Sequence, residues 1–499
     1  MGIIKKQAVA NTIITYVSLI LGAVNVLWLM PKGLSPEEVG LRSLLLSSAF
    51  LVSPLARIGF NKVIIKFYPV FKDADKKDHG FLFIIMIIPF VAFILITLLF
   101  LIFKQPVFSL FEAKSAMIKD YLWYIIPITF FVMYIGILSA YCQVNYKITV
   151  SSFFRQIVMQ VFTGILLILM NAGAIDFRQF IFLIALSYFL IVLLHIFYLR
   201  YLNLFYLKPD FKLLNKPMVK EIVTYGLFVI LGGVGAVVST NIGILMLGAM
   251  IGLHSTAIFT ISFYLGNIID VPRSALSRIA SPYIADSWHK GKTDLINSLY
   301  KKSAINQMVI GILIFLIIWL NIDSVFAIMP RGSLYVSGKW VVFFVGLAKV
   351  VDMLTGINTE ILINSEKYKF NFVLVISFTL LVIILNYILI PQYAVIGAAV
   401  ALFASFVYFN IAKFIYLLIK FKMQPFSLNF LKVLVSGIIV FFVFTFLPHL
   451  NNSWFDIILR TAFICAIYIA LIALANPSDE INHYIVKVRK IFSGENKPD

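Results

Sequence analysis

The chain has 499 residues, of which 62% are apolar and only 13% charged, and its mean hydropathy is +1.00. No soluble domain of this size can hide so much apolar surface, so the composition excludes a soluble protein and calls for a polytopic membrane protein. The net charge is +19, and the two cysteines, Cys142 and Cys465, lie in apolar runs without CxxC or histidine spacing, which suggests neither a disulfide framework nor a metal site.

Taken in order, the chain opens with Lys5 and Lys6 before an apolar run of span length that lacks a small-residue cleavage site, so this run reads as a retained first helix. Apolar runs of about 20 residues, the length that crosses about 30 Å of hydrocarbon, fall near 9–30, 39–60, 80–103, 119–142, 153–172 and 180–200. A second set falls near 220–250, 255–280, 303–322, 338–360, 369–390 and 394–418, and two more near 428–448 and 454–475. The expected fold is therefore all-α, with about 14 transmembrane helices. It divides into an N-terminal six-helix lobe (1–202), a cytoplasmic amphipathic linker (203–219), a C-terminal six-helix lobe (220–418), two additional helices (428–475) and a cytoplasmic basic tail (476–499). Residues 219–278 also overlay 5–57: Val39 to Pro54 and Ala257 to Pro272 are each 15 positions apart. A repeat in that order is the parallel-repeat plan of some transporters.

Charge tests the span count independently. With the N-terminus inside, the inner segments hold 27 of the 41 lysines and arginines and the outer segments hold 7. The positive-inside rule produces that imbalance and a miscounted span would scramble it, so both termini are expected in the cytoplasm of a multi-pass protein. The positive charge then follows from topology, and no nucleic-acid partner is needed.

Seven basic residues remain within the spans: Arg42, Arg57, Arg273, Arg278, Lys349, Lys432 and Arg460, against Asp270, Asp352 and Glu360. Each charge in a bilayer interior is worth at least about 2.5–3.5 kcal/mol of penalty, so the surplus calls for water or an anion. Arg278 and Lys432 lie near span ends and can snorkel to headgroups, as can Arg57, and Arg42 and Arg460 at the other end. Lys349 is near mid-span, where a structural pair with Asp352 three residues on competes with a ligand role. Asp270 and Arg273 repeat that spacing. Arg42, Arg57, Arg273 and Lys349 are the candidate substrate-binding residues, and Asp270, Asp352 and Glu360 the candidate ion-coupling ones.

Pro54 and Pro272 each remove a backbone donor deep in a span and are candidate hinges. Gly232, Gly233, Gly235, Gly243 and Gly248 suit either close helix packing or bending. There is no Walker loop, no HExxH and no pair of outer-loop carboxylates, and the six histidines are scattered, so the chain reads as a non-enzyme without cofactor or metal. It would move its substrate by rocking between states, with H+ or Na+ as the candidate coupling ion.

Residues 386–401 read Asn386-Tyr-Ile-Leu-Ile-Pro391-Gln-Tyr-Ala-Val-Ile-Gly397-Ala-Ala-Val-Ala401. This resembles the N-x-x-L-I-P-x-x-G-x-x-G-A-A-x-A turn of the polysaccharide flippases in the multidrug/oligosaccharidyl-lipid/polysaccharide exporter superfamily, except that Ala394 stands where the family usually has glycine. Asn11, the Gly33-Leu-Ser-Pro-Glu-Glu-Val-Gly40 segment and Ile363-Asn-Ser-Glu-Lys-Tyr-Lys369 are similar to that family as well. The resemblance implies two six-helix lobes around a central cavity in a bacterial inner membrane. It also implies transfer of a polyprenyl-diphosphate-linked oligosaccharide from the inner to the outer leaflet, with membrane lipids and other polysaccharide-assembly proteins as partners and the chain acting as a monomer. An ion-driven multidrug or metabolite exporter is the alternative reading, and a membrane glycosyltransferase or polymerase a distant third. The cationic interior favours the flippase, because a diphosphate needs arginine or lysine whereas the typical exported drug is a cation.

The charge asymmetry makes a topological prediction. Single cysteines at Ser35, Gly173 and Ser333 are expected to react with an impermeant thiol reagent in intact cells, and those at Gly291 and Ser365 only after permeabilisation. Labelling of either inner position in intact cells would break the 14-span reading.

Overall fold

The computed structural model describes residues 2–73, 77–112, 117–210 and 215–477, so most of the basic tail lies outside the described residues. Every regular element among them is helical. The principal helices are α1 (Val9–Gly33), α2 (Pro36–Phe71), α3 (Phe81–Ile102), α4 (Met117–Val144), α5 (Ile148–Asn171), α6 (Phe177–Tyr201), α7 (Lys216–Met250), α8 (Leu253–Asn267) and α9 (Asp270–His289). They continue with α10 (Thr293–Leu320), α11 (Lys339–Leu354), α12 (Asn358–Asn364), α13 (Tyr368–Phe421), α14 (Leu428–Thr445) and α15 (Ser453–Ala475). Among the described residues ten helices are long and apolar enough to cross a bilayer, or eleven if α11 and α12, bent by 56°, form one span. Four local features account for the difference from 14. The span expected over 220–250 is represented in the count only by the shorter apolar stretch Thr240–Met250, that over 338–360 is bent between α11 and α12, that over 255–280 is divided between α8 and α9, and the two expected over 369–418 run together as α13.

That merged helix has 54 residues, about 80 Å at the α-helical rise, far more than one crossing of about 30 Å needs. It does not run straight. Ala394, at φ 46° and ψ −123°, breaks it, and the two arms lie antiparallel: Phe370 stacks on Tyr416 with centroids 3.6 Å apart, and Phe378 meets Phe406 at 5.3 Å. The Tyr408 hydroxyl donates to Ser377 Oγ across 3.0 Å. At the turn, a Cβ on Gly397 would lie 2.2 Å from the Leu389 carbonyl oxygen, so only glycine permits this approach.

Other interruptions follow the same chemistry. In α2, Pro54 leaves the Phe50 carbonyl without its helical donor, and one turn later Ile58 (φ 48°) and Gly59 (φ 68°) adopt left-handed backbone before the helix resumes at Phe60. Pro272 lies in the first turn of α9, where a missing N–H leaves no bond unmade. Both expected hinge prolines thus stand within about a turn of a helix break. By contrast α7 is continuous through its glycines. Gly248 serves packing, since a Cβ there would lie 2.4 Å from Leu44 Cδ1.

Contacts divide the chain into two compact units, Met1–Thr260 with Ile383–Gly397, and Ile261–Val382 with Ala398–Asp499. In the first, α2 packs on α4 and α7, α4 on α6, and α5 on α1 and α6. The entry to α2 is fixed by its sequence: Ser35 caps Glu38 N, the Glu38 carboxylate accepts from Ser35 N at 2.7 Å, and Pro36 occupies the first turn. Gly40 then lets α2 meet the Leu253 backbone, where a Cβ would come within 2.0 Å of the carbonyl oxygen. In the second unit α10 packs on α11, α14 and α15 around Met308, Met353, Val433 and Tyr468, all fully buried. Lipid tails are as apolar as leucine, so close fit and interhelical bonds hold such contacts rather than transfer from water. Tyr468 supplies one by donating to the Val309 carbonyl at 3.2 Å.

Ala394 is strained where glycine is not. Ala394→Gly is expected to stabilise the protein by about 1 kcal/mol, read as a higher melting temperature of purified protein in detergent; Ala394→Val should lower it.

Candidate functional site: an arginine cavity and a buried charge cluster

Within the first unit, α2, α4, α5 and α6 enclose a cavity of about 460 Å³ lined by Arg42, Arg57 and Arg155, by Gln160 and Thr163, and by apolar and aromatic side chains that include Phe50 and Tyr188. No carboxylate lines it. Arg42 and Arg57 come from the same helix, 15 residues apart, and the Nε of each is buried without a hydrogen-bond partner among the described residues. Neither makes an ion pair among them. Arg57 owes its place to Gly136 on α4, where a Cβ would fall 2.1 Å from Arg57 Nη1.

Arg155 arrives by a different device. Residues Phe154–Val158 of α5 form a π turn, which accommodates one extra residue and shifts the positions after it around the helix axis. Just before it, Ser151 Oγ lies 2.9 Å from both Ser139 Oγ and His195 Nε2, while His195 Nδ1 donates to the Ile191 carbonyl at 2.8 Å. This buried set joins α4, α5 and α6 beside the irregular turn. Arg42 and Arg57, which no carboxylate neutralises among the described residues, leave the cavity with a surplus of positive charge, an arrangement that suits an anion.

The second unit treats its charges in the opposite way. Arg273 Nε lies 2.6 Å from Asp270 Oδ1 and 3.0 Å from Asp352 Oδ2, so one guanidinium bridges two carboxylates. Lys413, fully buried on α13, reaches Asp352 Oδ1 at 3.8 Å and donates to Thr359 Oγ1 at 2.9 Å. Glu360 accepts from the Ser277 hydroxyl, and Ser274 Oγ donates to Asp270 at 3.1 Å. Lys349 sits over the Phe406 ring at 4.8 Å. Three cations and three carboxylates share this region, so it is close to balanced.

A profile of the family described as polysaccharide biosynthesis proteins matches residues 4–288. The chain belongs to that family. A search of curated proteins gave no match. Among solved structures, the fold of this polysaccharide biosynthesis family member is similar to that of the lipid II flippase MurJ in an inward closed conformation, with TM-score 0.74 and 15% identity over 93% of this chain and 98% of that one. It is also similar to an inward-facing multidrug resistance MATE family transporter of the MOP superfamily, with TM-score 0.61 and 14% identity over 83% and 98% of the two chains. A third is a MOP superfamily transporter from Pyrococcus furiosus reported with a binding pocket of reverse polarity, at TM-score 0.53 and 14% identity over 84% and 95%.

Of the four candidate substrate-binding residues, this family member brings Arg42 and Arg57 into one cavity, and places Arg273 and Lys349 in the charge cluster of the other unit. All three candidate ion-coupling residues, Asp270, Asp352 and Glu360, are in that same cluster. The pair expected between Lys349 and Asp352 does not form among the described residues; Asp352 is held by Arg273 and Lys413. Two residues were missed in sequence. Arg155 and Lys413 counted as inner-loop charges, yet α5 starts at Ile148 and α13 runs on to Phe421, so both lie inside helices. Lys413 had a legible signal, for it stands alone between Asn410-Ile-Ala and Phe414-Ile-Tyr-Leu-Leu. Two of the remaining span cations serve helix ends: Arg460 donates to the Phe444, Leu447 and Pro448 carbonyls at 3.0, 3.3 and 2.9 Å, and Lys432 to Ala475 O at 3.3 Å.

These contacts separate two lysines and an aspartate by stability. Asp352→Ala strands the Arg273 and Lys413 charges and is expected to destabilise by about 3–5 kcal/mol, whereas Lys349→Ala loses a ring contact of about 1–2 kcal/mol. Thermal unfolding of the purified variants checks the order, and equal losses would contradict it.

Proposed function

We propose that this protein translocates a polyprenyl-diphosphate-linked oligosaccharide from the inner to the outer leaflet of a bacterial inner membrane, by alternating access, for surface polysaccharide synthesis. The observation that carries the proposal is the cavity where Arg42, Arg57 and Arg155 converge without a carboxylate. A diphosphate is the anion that such a wall suits, because guanidinium forks match phosphoryl oxygens in pairs. Membership of the polysaccharide biosynthesis family and the fold shared with a lipid II flippase support the same substrate class. The likeness to multidrug transporters keeps an exporter as the second reading, but Arg42 and Arg57, neither of which meets a carboxylate among the described residues, repel the cations such proteins typically carry. The proposal includes both termini in the cytoplasm, a coupling gradient of H+ or Na+ acting through Asp270, Asp352 and Glu360, and Arg273 and Lys349 as further contacts for the headgroup.

The test is genetic and chemical. Deleting the gene is expected to make lipid-linked oligosaccharide accumulate on the inner leaflet and to remove the surface polysaccharide. Complementation with Arg42→Ala or Arg57→Ala should fail at normal protein level, because neither arginine leaves a stranded partner, while the lysine substitutions should restore transport in part. Normal surface polysaccharide in a deletion strain that has no second flippase would reject the proposal and promote the exporter.

A further inference from the structure

The arginine cavity contains one neutral amide, Gln160, and its orientation follows from hydrogen-bond logic. Asn25 on α1 is buried, and its side-chain nitrogen lies 2.8 Å from the Gln160 backbone oxygen and 2.9 Å from Gln160 Oε1. A backbone carbonyl can only accept, so the Asn25 atom facing it is the NH2 group. The second proton of that group is then directed at the end of the Gln160 side chain, which must offer its oxygen. The Gln160 NH2 is therefore turned away from Asn25, and Gln160 lines the cavity with Arg42, Arg57 and Arg155. No group among the described residues accepts from it.

The local backbone is built for this contact. Asn25 opens a π turn over Asn25–Leu29, and Gln160 follows the π turn over Phe154–Val158 by two residues. Two irregular turns on neighbouring helices thus meet at one hydrogen-bonded pair, and π turns are frequent where a side chain is re-aimed for function. Gly164, one turn beyond Gln160, leaves the room Asn25 needs, since a Cβ there would lie 2.9 Å from Asn25 Oδ1. Alanine at that position would push Asn25 off its partner.

We propose that Gln160 is a specificity-determining residue that donates to a phosphoryl oxygen of the anionic headgroup, and that Asn25 is a positioning residue acting only through the Gln160 amide. This rests on the reading of the cavity as a diphosphate site. The amide adds a neutral donor to the charged ones: the guanidinium groups supply positive charge, and the amide supplies a directional contact that a diffuse positive field does not.

The experiment uses full-length protein purified in detergent, with farnesyl diphosphate and inorganic pyrophosphate as probes, both of which carry phosphoryl oxygens and no sugar. Gln160→Leu is expected to weaken both probes about 10-fold to 100-fold, the loss of one hydrogen bond to a charged group. Asn25→Ala frees the Gln160 amide without adding charge beside the cavity, and binding is expected to fall at least threefold. The double variant Asn25→Ala/Gln160→Leu should bind no worse than Gln160→Leu alone, a non-additivity that a merely structural asparagine would not produce. Less than a threefold change in Gln160→Leu overturns the role of Gln160, and additive losses in the double variant overturn that of Asn25. If Asn25→Ala does not fold, Gln160→Leu still decides the first point, and Asn25→Leu, which also frees the amide, replaces it in the cycle for the second. Arg42→Ala/Arg57→Ala separates the layers: if that variant binds both probes like the wild type, the diphosphate reading itself fails, whereas loss there with none in Gln160→Leu removes only the present inference.

Discussion

A guanidinium in hydrocarbon must find a carboxylate, a set of carbonyls, water or a ligand, and this requirement accounts for how the span charges are arranged. Arg273 and Lys413 find carboxylates, with Asp352 held between them and Asp270 on the other side of the guanidinium. Arg460 finds three carbonyls at the end of α14 and Asp456 at 3.5 Å. Arg42 and Arg57 find neither, and it is these two that face a cavity. The assignment of structural and functional roles thus comes from what each cation lacks. A protein that needed only stability would have placed apolar residues at positions 42 and 57.

Irregular backbone is the second device, and it is confined to places with a side chain or a turn to deliver. The π turns at 25–29 and 154–158 set Asn25, Arg155 and Gln160. The left-handed pair at Ile58 and Gly59 follows Arg57 directly, so the helix carrying two cavity arginines stops as soon as the second has been placed. At Ala394 the same kind of break turns one long helix into two antiparallel arms. That position explains a feature of the flippase motif: the turn requires positive φ, which glycine takes without strain, and this chain bears alanine there. Gly397, three residues on, is set by backbone proximity and has no such freedom.

Much of the fold was legible in the sequence because hydropathy, loop charge and the 386–401 turn report on the bilayer directly. The all-helical architecture and the interruptions near Pro54, Pro272 and Ala394 are of this kind. Helix boundaries were less legible. Running the inner segments on to 155 and starting them again at 413 counted Arg155 and Lys413 as loop charges, although both lie inside helices, α5 and α13. Local spacing also misled. Lys349 and Asp352 share a helix face, but Arg273 from α9 offers Asp352 a planar fork at 3.0 Å and already holds Asp270, so the tertiary partner displaces the local one. Which candidates share a cavity could not be read from spacing, since Arg42 and Arg57 are joined by Arg155 and Gln160 from a helix about 100 residues later in the chain.

The contrast between the two charge sets bears on how a carrier can hold an anion and still let it go. Three guanidinium groups would retain the diphosphate proposed above too firmly for turnover if all reached it at full strength, since a site selective enough to fill must also empty. Arg155 is the most accessible of the three and stands on a π turn, whereas Arg42 and Arg57 are more enclosed. A wall in which one cation is set on irregular backbone can lose part of its hold through a local change of helix register, without moving the carboxylates of the other unit. Because the charges of that second unit are matched among themselves, release in the first need not disturb its stability, and the fold can tolerate repeated filling and emptying of an unbalanced cavity.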